Sequence, residues 1–584
     1  MAIFQIIAPL LLSISPAQTS PIASQSPIHY TVTAVPGSND FDVSIRVTAA
    51  GKTTSFHIPA WTPGYYHIEH FQDSIRVTGA SEVNKTALTL DHPNSRTWTV
   101  ATSTGEPINF SYVVHATDPG LGFFGSMLNN RVGFINGASA LMYIDGQMTN
   151  PDYLKVVMPT GWKEASTLDQ NKLGEFVATT GYDELIDSPL QLGDFIEKSF
   201  TVRGVPYNVI FVSKDGTYKC NPTIVARRIK IVSAPALDMF KSHSFSHYTY
   251  FLHLAVGDFS GGLEHRAGTC IAIDDAPEFD IDSIVAHENF HAWNVKQIRP
   301  FVLGPFDYTQ PDRTGALWFM EGVTDYYADV LTYRSGLKSK DWLLGTLAEQ
   351  ISELQSSKDR SNFTLEECSE KCWDSDGFSY GDLSYYTKGL VCGLIFDASI
   401  RNHTHGKKSL DDVMRYLYAT YHLPNPGFGP DGLLDAMNKV VGEPNCFDNL
   451  YATLIRSTKE VPYSILRGIG LEMVSPENPQ ISRDFTIDSG VVTDAGAQSQ
   501  ASGLLPGDKV ISLDDSPWDG VSDQPTDQFV IQVERDGVQR TIKIPYTYDS
   551  TQSLWLKIDP NAGDASKALL EQWLNRPDPS KTDD

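Results

Sequence analysis

This chain of 584 residues lacks an apolar run long enough to cross a bilayer. The N-terminal run Ile3–Leu12 is broken by Gln5 and Pro9 and falls well short of the roughly 20 residues a spanning helix needs. Positive charge is scarce: 45 Lys and Arg stand against 71 Asp and Glu, a net charge of −26. That balance leaves no basic surface for nucleic acid or anionic lipid, so neither is an expected partner. No Lys or Arg precedes Arg46, so a leader would carry only its α-amino charge. Small residues at Ser15-Pro16-Ala17 nevertheless suit signal-peptidase cleavage, and residues 1–17 are read as a signal peptide of an exported chain. There is no internal repeat, which excludes solenoids and propellers.

Cysteine is also sparse, six in all: Cys220, Cys270, Cys368, Cys372, Cys392 and Cys446. Their spacing does not form a four-cysteine zinc site, and the even number is compatible with an oxidising compartment. Cys368 and Cys372 are close enough to bridge, while Cys392, inside the apolar LVCGLIF, reads as a buried thiol. Asn84, Asn109, Asn362 and Asn402 head N-x-S/T sequons.

What the chain does have is His287-Glu288-Asn289-Phe290-His291, an H-E-x-x-H pattern behind the helically spaced Ile281, Ile284 and Val285. Asp280 or Asp282 suits the start of that helix. Residues four apart share a helix face, so His287 and His291 can point at one metal ion. Glu288 then reaches a water on the metal and not the metal itself. The next helical stretch, LWFMEGVTDYY, offers Glu321 as third ligand, a carboxylate in an otherwise apolar run where an unpaired charge is costly. Asp325, one turn after Glu321, is placed either to accept the second N–H of a ligand histidine or to face solvent.

A chain this long exceeds one core, and about three or four domains are expected. From Ser26 to about Phe200, segments such as IHYTVTAV, FDVSIRVTA, RTWTVAT and INFSYVVHAT alternate as half-buried antiparallel strands do. The aromatic turn Trp61-Thr62-Pro63-Gly64-Tyr65-Tyr66, taken alone, reads as packing. Between Lys340 and Ile455 the periodicity is helical, in WLLGTLAEQISELQ, YYTKGLVCGLIFDASI, LDDVMRYLYATY and GLLDAMNKVVG. From Ile465 to about Leu556 short strands and Gly turns return, with a hairpin across Asp536-Gly537. The tail after Asn561 has room for one short helix before PDPSKTDD, and 561–584 is read as disordered.

In order, WTPGYY, YDELIDSP (182–189), GGLEH (261–265), HENFHAWNVKQIRP, WFMEGVTDYY, SYYTKG (384–389) and GLLPGD (503–508) resemble the glycyl aminopeptidase family of zinc metallopeptidases, relatives of the aminopeptidase-N and leukotriene-hydrolase group. Asn289 and Gln297 depart from the family pattern at positions that are not ligands. The resemblance implies a multidomain α+β chain. Its parts would be an N-terminal β domain (26–200), a thermolysin-like zinc catalytic domain (201–339), a helical domain (340–460) and a C-terminal PDZ domain (465–556). It implies one Zn²⁺ per chain and peptide substrates with a free N-terminus, with Gly and Ala as first residues. Glu264 would bind the substrate's α-amino group, the alternative being an ion pair with Arg266, and Gly261 and Gly262 would also be substrate-binding. Tyr386 would donate to the oxyanion, with Tyr385 as the competing choice. A peptide or protein C-terminus is the ligand expected of PDZ. Two other readings stay open, a zinc endopeptidase with a structural Glu264 and a non-catalytic PDZ peptide-binding protein.

Overall fold

The computed structural model describes residues 26–35, 37–118, 122–254, 260–277, 280–474, 481–513, 516–517, 528–545, 547–548 and 554–576. The expected leader and PDPSKTDD lie outside the described residues. The chain divides into two compact units, the first comprising residues up to Ala60, Glu69–Phe195 and Lys214–Gly216, the second the remainder.

The first unit is built from strands, as the alternation predicts. One sheet runs Phe176–Ala178, Asp152–Val157, Ile28–Ala34, Asp40–Thr48, Pro107–His115 and Ile75–Glu82 in spatial order. Ile28–Ala34 buries every second residue, which puts Ile28, Tyr30, Val32 and Ala34 on the core face. Two four-stranded sheets complete the unit.

The long continuous part of the first unit runs to Phe195, and Ile196–Ser213 belongs to the second. The reason is pairing: Ile196–Val202 forms an antiparallel ladder with Val205–Ser213, which lies parallel to Tyr248–Leu254. Gly268–Ile273 follows, and Gly261–His265 closes the edge antiparallel to it. Tyr248–Leu254 is buried throughout, as a strand covered on both faces should be. The H-E-x-x-H helix, Asp282–Phe290, packs behind this sheet's edge, with Tyr248 Oη donating to Glu288 O at 3.1 Å. Its first residue, Asp282, has a fully buried carboxylate bonded by Arg228 Nε and Nη2 at 3.0 and 2.5 Å.

The four expected helices are present as Lys340–Ser356, Tyr385–His403, Leu410–Tyr421 and Gly432–Val441. Further on, Phe485–Asp488, Val491–Ala495, Lys509–Leu513, Gln528–Arg535 and Val538–Pro545 form a sheet over a core of Phe485, Val492, Leu504, Phe529, Ile531 and Val533. Arg535 pairs with Val538, and Asp536 and Gly537 both have positive φ, as a two-residue hairpin turn requires.

Two expectations need correction. Residues 561–576 are not a disordered tail, because Asp564–Trp573 is a helix whose Leu569, Leu570 and Trp573 are buried. Trp573 Nε1 donates to Tyr326 Oη at 3.0 Å, and Tyr326 Oη donates to Asp397 Oδ2 at 2.7 Å. Nor does Cys368 bridge to Cys372: all six cysteines are free. The two thiols instead point to the Leu383 and Ser369 carbonyls. Cys392 is the buried thiol expected, its pKa pushed up to about 12 by burial. None of the described helices is long and apolar enough to cross a membrane.

Candidate active site

His287, His291 and Glu321 converge with one ligand atom each, all within 4.8 Å of one another. His287 Nε2 and His291 Nε2 are 2.9 Å apart, and Glu321 Oε2 lies 3.6 and 3.2 Å from them. The outer nitrogens decide the tautomers. His287 Nδ1 is 2.6 Å from Asp325 Oδ1, and His291 Nδ1 is 2.6 Å from the Asn294 carbonyl. Both partners only accept, so both Nδ1 atoms carry protons, and each ring in its neutral form aims an Nε2 lone pair into the cluster. Glu321 Oε1 is buried without a hydrogen-bond partner. Two lone pairs and a carboxylate facing inward with no donor among them fit a divalent cation.

The carboxylates favour positive charge in this cluster, whether as protons on the rings or as a cation between them. Burial opposes the charged form of His287, but Asp325 and Glu321 outweigh it and raise its pKa well above the ordinary value. Burial would likewise raise Glu321, yet the His291 and His287 imidazoles hold its carboxyl well below the usual range.

Glu321 sits in a π-helical turn, Trp318–Gly322, where an ordinary helix was expected, and α-helix begins only at Val323. Such single turns recur at functional sites because they re-aim one side chain. The Tyr386 helix approaches this turn through glycine. A Cβ on Gly389 would stand 2.4 Å from Trp318 O, and one on Gly322 would stand 2.5 Å from the Gly389 Cα. Only a glycine pair permits that contact, which leaves the Tyr386 ring 6.4 Å from that of His287 and nearly parallel to it. Tyr385 stacks on Tyr386 with ring centroids 4.7 Å apart, and its buried hydroxyl donates to Gly377 O at 2.6 Å.

Glu288 is buried beside the ligands, with the Thr269 hydroxyl 3.0 Å from Oε2. Gly262, on the edge strand, supplies clearance: a Cβ there would lie 2.0 Å from Glu288 Oε1. Burial pushes the Glu288 carboxyl up to about 7; the two imidazoles pull it down, and Glu264 and Glu321 add to the rise. Glu264, three-strand register positions along from Gly261, is also buried. Among the described residues its ion pair is with Lys296, Nζ 3.7 Å from Oε1, and not with Arg266.

The aromatic turn reaches the site, which its sequence does not betray. Tyr66 is buried, and burial followed by the Glu321 and Glu264 carboxylates raises its pKa well above the ordinary value. Tyr66 therefore lies close enough for both carboxylates to act on it. Gly64 backs onto Glu264, where a Cβ would stand 2.6 Å from Oε2. Thr269 and Asn294 also went unnoticed in the sequence, since neither carries a spacing signal. Among the described residues a second group able to hold a metal, His403, Glu443 and Cys446, lies towards the surface. There His403 and Glu443 already pair at 3.0 Å.

Residues 280–392 match the family model described as M61 glycyl aminopeptidase, and residues 29–194 match that of the Peptidase M61 N-terminal domain. No curated protein sequence matches. The fold is similar to that of an aminopeptidase N family protein from Idiomarina loihiensis, at 22% identity and a TM-score of 0.76, covering 94% of this chain and 100% of the other. An M1 zinc metallopeptidase from Deinococcus radiodurans aligns at 14% identity over 75% of this chain and 94% of its own, with a TM-score of 0.48, too distant to bear on the site. The glycyl aminopeptidase match spans the positions of His287, Glu288, His291, Glu321, Asp325 and Tyr386, and the chain is a peptidase, a hydrolase of peptide bonds.

Proposed function

We propose that the chain is a zinc-dependent aminopeptidase that releases small first residues, glycine and alanine, from peptides with a free N-terminus. The observation that carries this reading is Glu264, a buried carboxylate beside the ligand cluster whose Oε1 has no hydrogen-bond donor. An acceptor left open next to the reacting centre suits a substrate ammonium and measures the peptide from its first residue. The preference for small residues is supported by the description of the matched family.

His287, His291 and Glu321 would hold the metal, which when bound polarises the scissile carbonyl and acidifies a water. Glu288 takes a proton from the attacking water and hands it to the leaving amine. Tyr386 donates its hydroxyl to the oxyanion as negative charge develops on the carbonyl oxygen. Asp325 orients His287 by accepting from Nδ1 and increases the basicity of its Nε2. Residues 465–556 are proposed as a PDZ domain that takes a peptide or protein C-terminus, and export is proposed on residues 1–17.

The test is release of Gly and Ala from free and N-acetylated peptides. An aminopeptidase cleaves only the free set, and equal cleavage of the blocked set would falsify the reading. Lys296 favours the second reading, an endopeptidase, because it already places a cation 3.7 Å from Glu264. Glu264→Ala separates the two. As the amine anchor its loss raises KM and lowers kcat on glycyl anilides, by ~10²-fold or more in kcat/KM, with zinc retained. A variant that matches the parent on that substrate leaves Glu264 structural.

Asp325→Ala is expected to weaken zinc affinity roughly 10–100-fold while the fold survives. Chelator competition measures it, and a value within about twofold of the parent would reject the role.

A further inference from the structure

We propose that Asn294 is a positioning residue of the metal centre, coupling the place of His291 to that of Glu321. The inference rests on reading His287, His291 and Glu321 as zinc ligands.

The two histidines are oriented by different means. His287 has a side-chain carboxylate, Asp325, whereas His291 has the main-chain oxygen of Asn294, 2.6 Å from Nδ1. A carbonyl orients a ring only as well as its own peptide is held. Asn294 is fully buried, in the turn that follows the H-E-x-x-H helix, and its N–H donates to Phe290 O at 3.1 Å.

The side chain of the same residue reaches the other way. Nδ2 donates to Phe319 O at 2.8 Å and lies 3.1 Å from Thr324 Oγ1, whose hydroxyl donates to Met320 O at 2.6 Å. Phe319 and Met320 immediately precede Glu321 in the π-helical turn. A π turn departs from the regular α ladder, so donors from outside help to fix its carbonyls. One residue thus bonds a ligand imidazole through its backbone and the backbone leading to the carboxylate ligand through its amide. The two ligand atoms it relates, His291 Nε2 and Glu321 Oε2, stand 3.2 Å apart.

The chemistry selects asparagine. Aspartate keeps the shape but has no donor and would turn negative charge on the Phe319 carbonyl. Leucine offers neither donor nor acceptor, and glutamine is one methylene too long for a fully buried position.

A merely structural hydrogen bond would stabilise the metal-free and metal-loaded protein equally and leave zinc affinity unchanged. A positioning bond changes the difference between them. The experiment is therefore chelator competition for zinc on full-length Asn294→Asp, with visible absorption of the cobalt(II)-substituted protein and the Tm of the metal-free form. We expect zinc affinity to fall roughly 10–100-fold, the usual scale for groups that orient ligands, and the cobalt bands to shift. Affinity within about twofold of the parent with unchanged bands overturns the proposal, even if the metal-free Tm falls. Should Asn294→Asp not fold, the Thr324 pair decides. Thr324→Val is expected to lose affinity in the same direction, whereas Thr324→Ser keeps the hydroxyl and matches the parent; equal affinities for the two overturn the coupling. A parent that binds no zinc sinks the ligand assignment instead. No arm uses a peptide substrate, so failure of the aminopeptidase reading leaves the result intact.

Discussion

Glu288→Gln is expected to keep the metal and lose turnover by roughly 10²–10⁴-fold or more, the range supplied by a positioned general base. The substitution preserves size in a place with no spare room, where Gly262 lies so close that even a methyl group would collide with the carboxylate. The Thr269 hydroxyl 3.0 Å from Oε2 still finds an acceptor in the amide oxygen. What disappears is the ability to take a proton. Zinc content and kcat measured on one preparation give the answer. His287→Ala and Glu321→Ala form the contrast, because each removes an inward-facing ligand atom and is expected to lose metal and activity together. A Glu288→Gln enzyme with near-parental kcat would mean that another group activates the water.

Tyr386→Phe is expected to lower kcat by roughly 10²-fold or more with little change in KM, as for a donor engaged mainly in the transition state. The paired substitution at Tyr385 sharpens the test. The Tyr385 hydroxyl is committed to Gly377 O at 2.6 Å in a buried setting. Tyr385→Phe should therefore cost stability, about 0.5–1.5 kcal/mol for a hydrogen bond plus the penalty of an unsatisfied carbonyl, and leave kcat near the parent. Steady-state kinetics on both variants settles which tyrosine serves the oxyanion. A large kcat loss confined to Tyr385→Phe would reverse the assignment.

Local periodicity made much of this legible. His287 and His291 were readable as neighbours because a helix brings i and i+4 onto one face, and the alternation around Ile28–Ala34 announced a strand with one buried side. Residues that reach the site through tertiary packing left no such trace. Tyr66 precedes Glu264 by almost two hundred positions in an aromatic turn, and only the folded chain brings it near two acids. Thr269 and Asn294 are ordinary polar residues until their neighbours are known. The Lys296–Glu264 pair was equally hidden, since the sequence pointed to the adjacent Arg266. The π turn at Glu321 escaped for a related reason: one extra residue per turn barely alters an apolar pattern. At the C-terminus, a polar composition concealed the three buried side chains that dock Asp564–Trp573.

That docked helix has a bearing on biosynthesis. Tyr326 follows Glu321 on the same segment, Asp397 lies on the helix that begins with Tyr385 and Tyr386, and Trp573 completes the Trp573–Tyr326–Asp397 relay. Trp573 is made 247 residues after Tyr326. At roughly 5–20 residues per second, about 12–50 s of translation separate the two. Throughout that interval the nascent chain holds His287, His291 and Glu321 while the helix that fastens their supports has yet to be made. Until Trp573 is made, Tyr326 and Asp397 lack the donor that closes this relay, so docking of Asp564–Trp573 comes late in assembling the supports of the site.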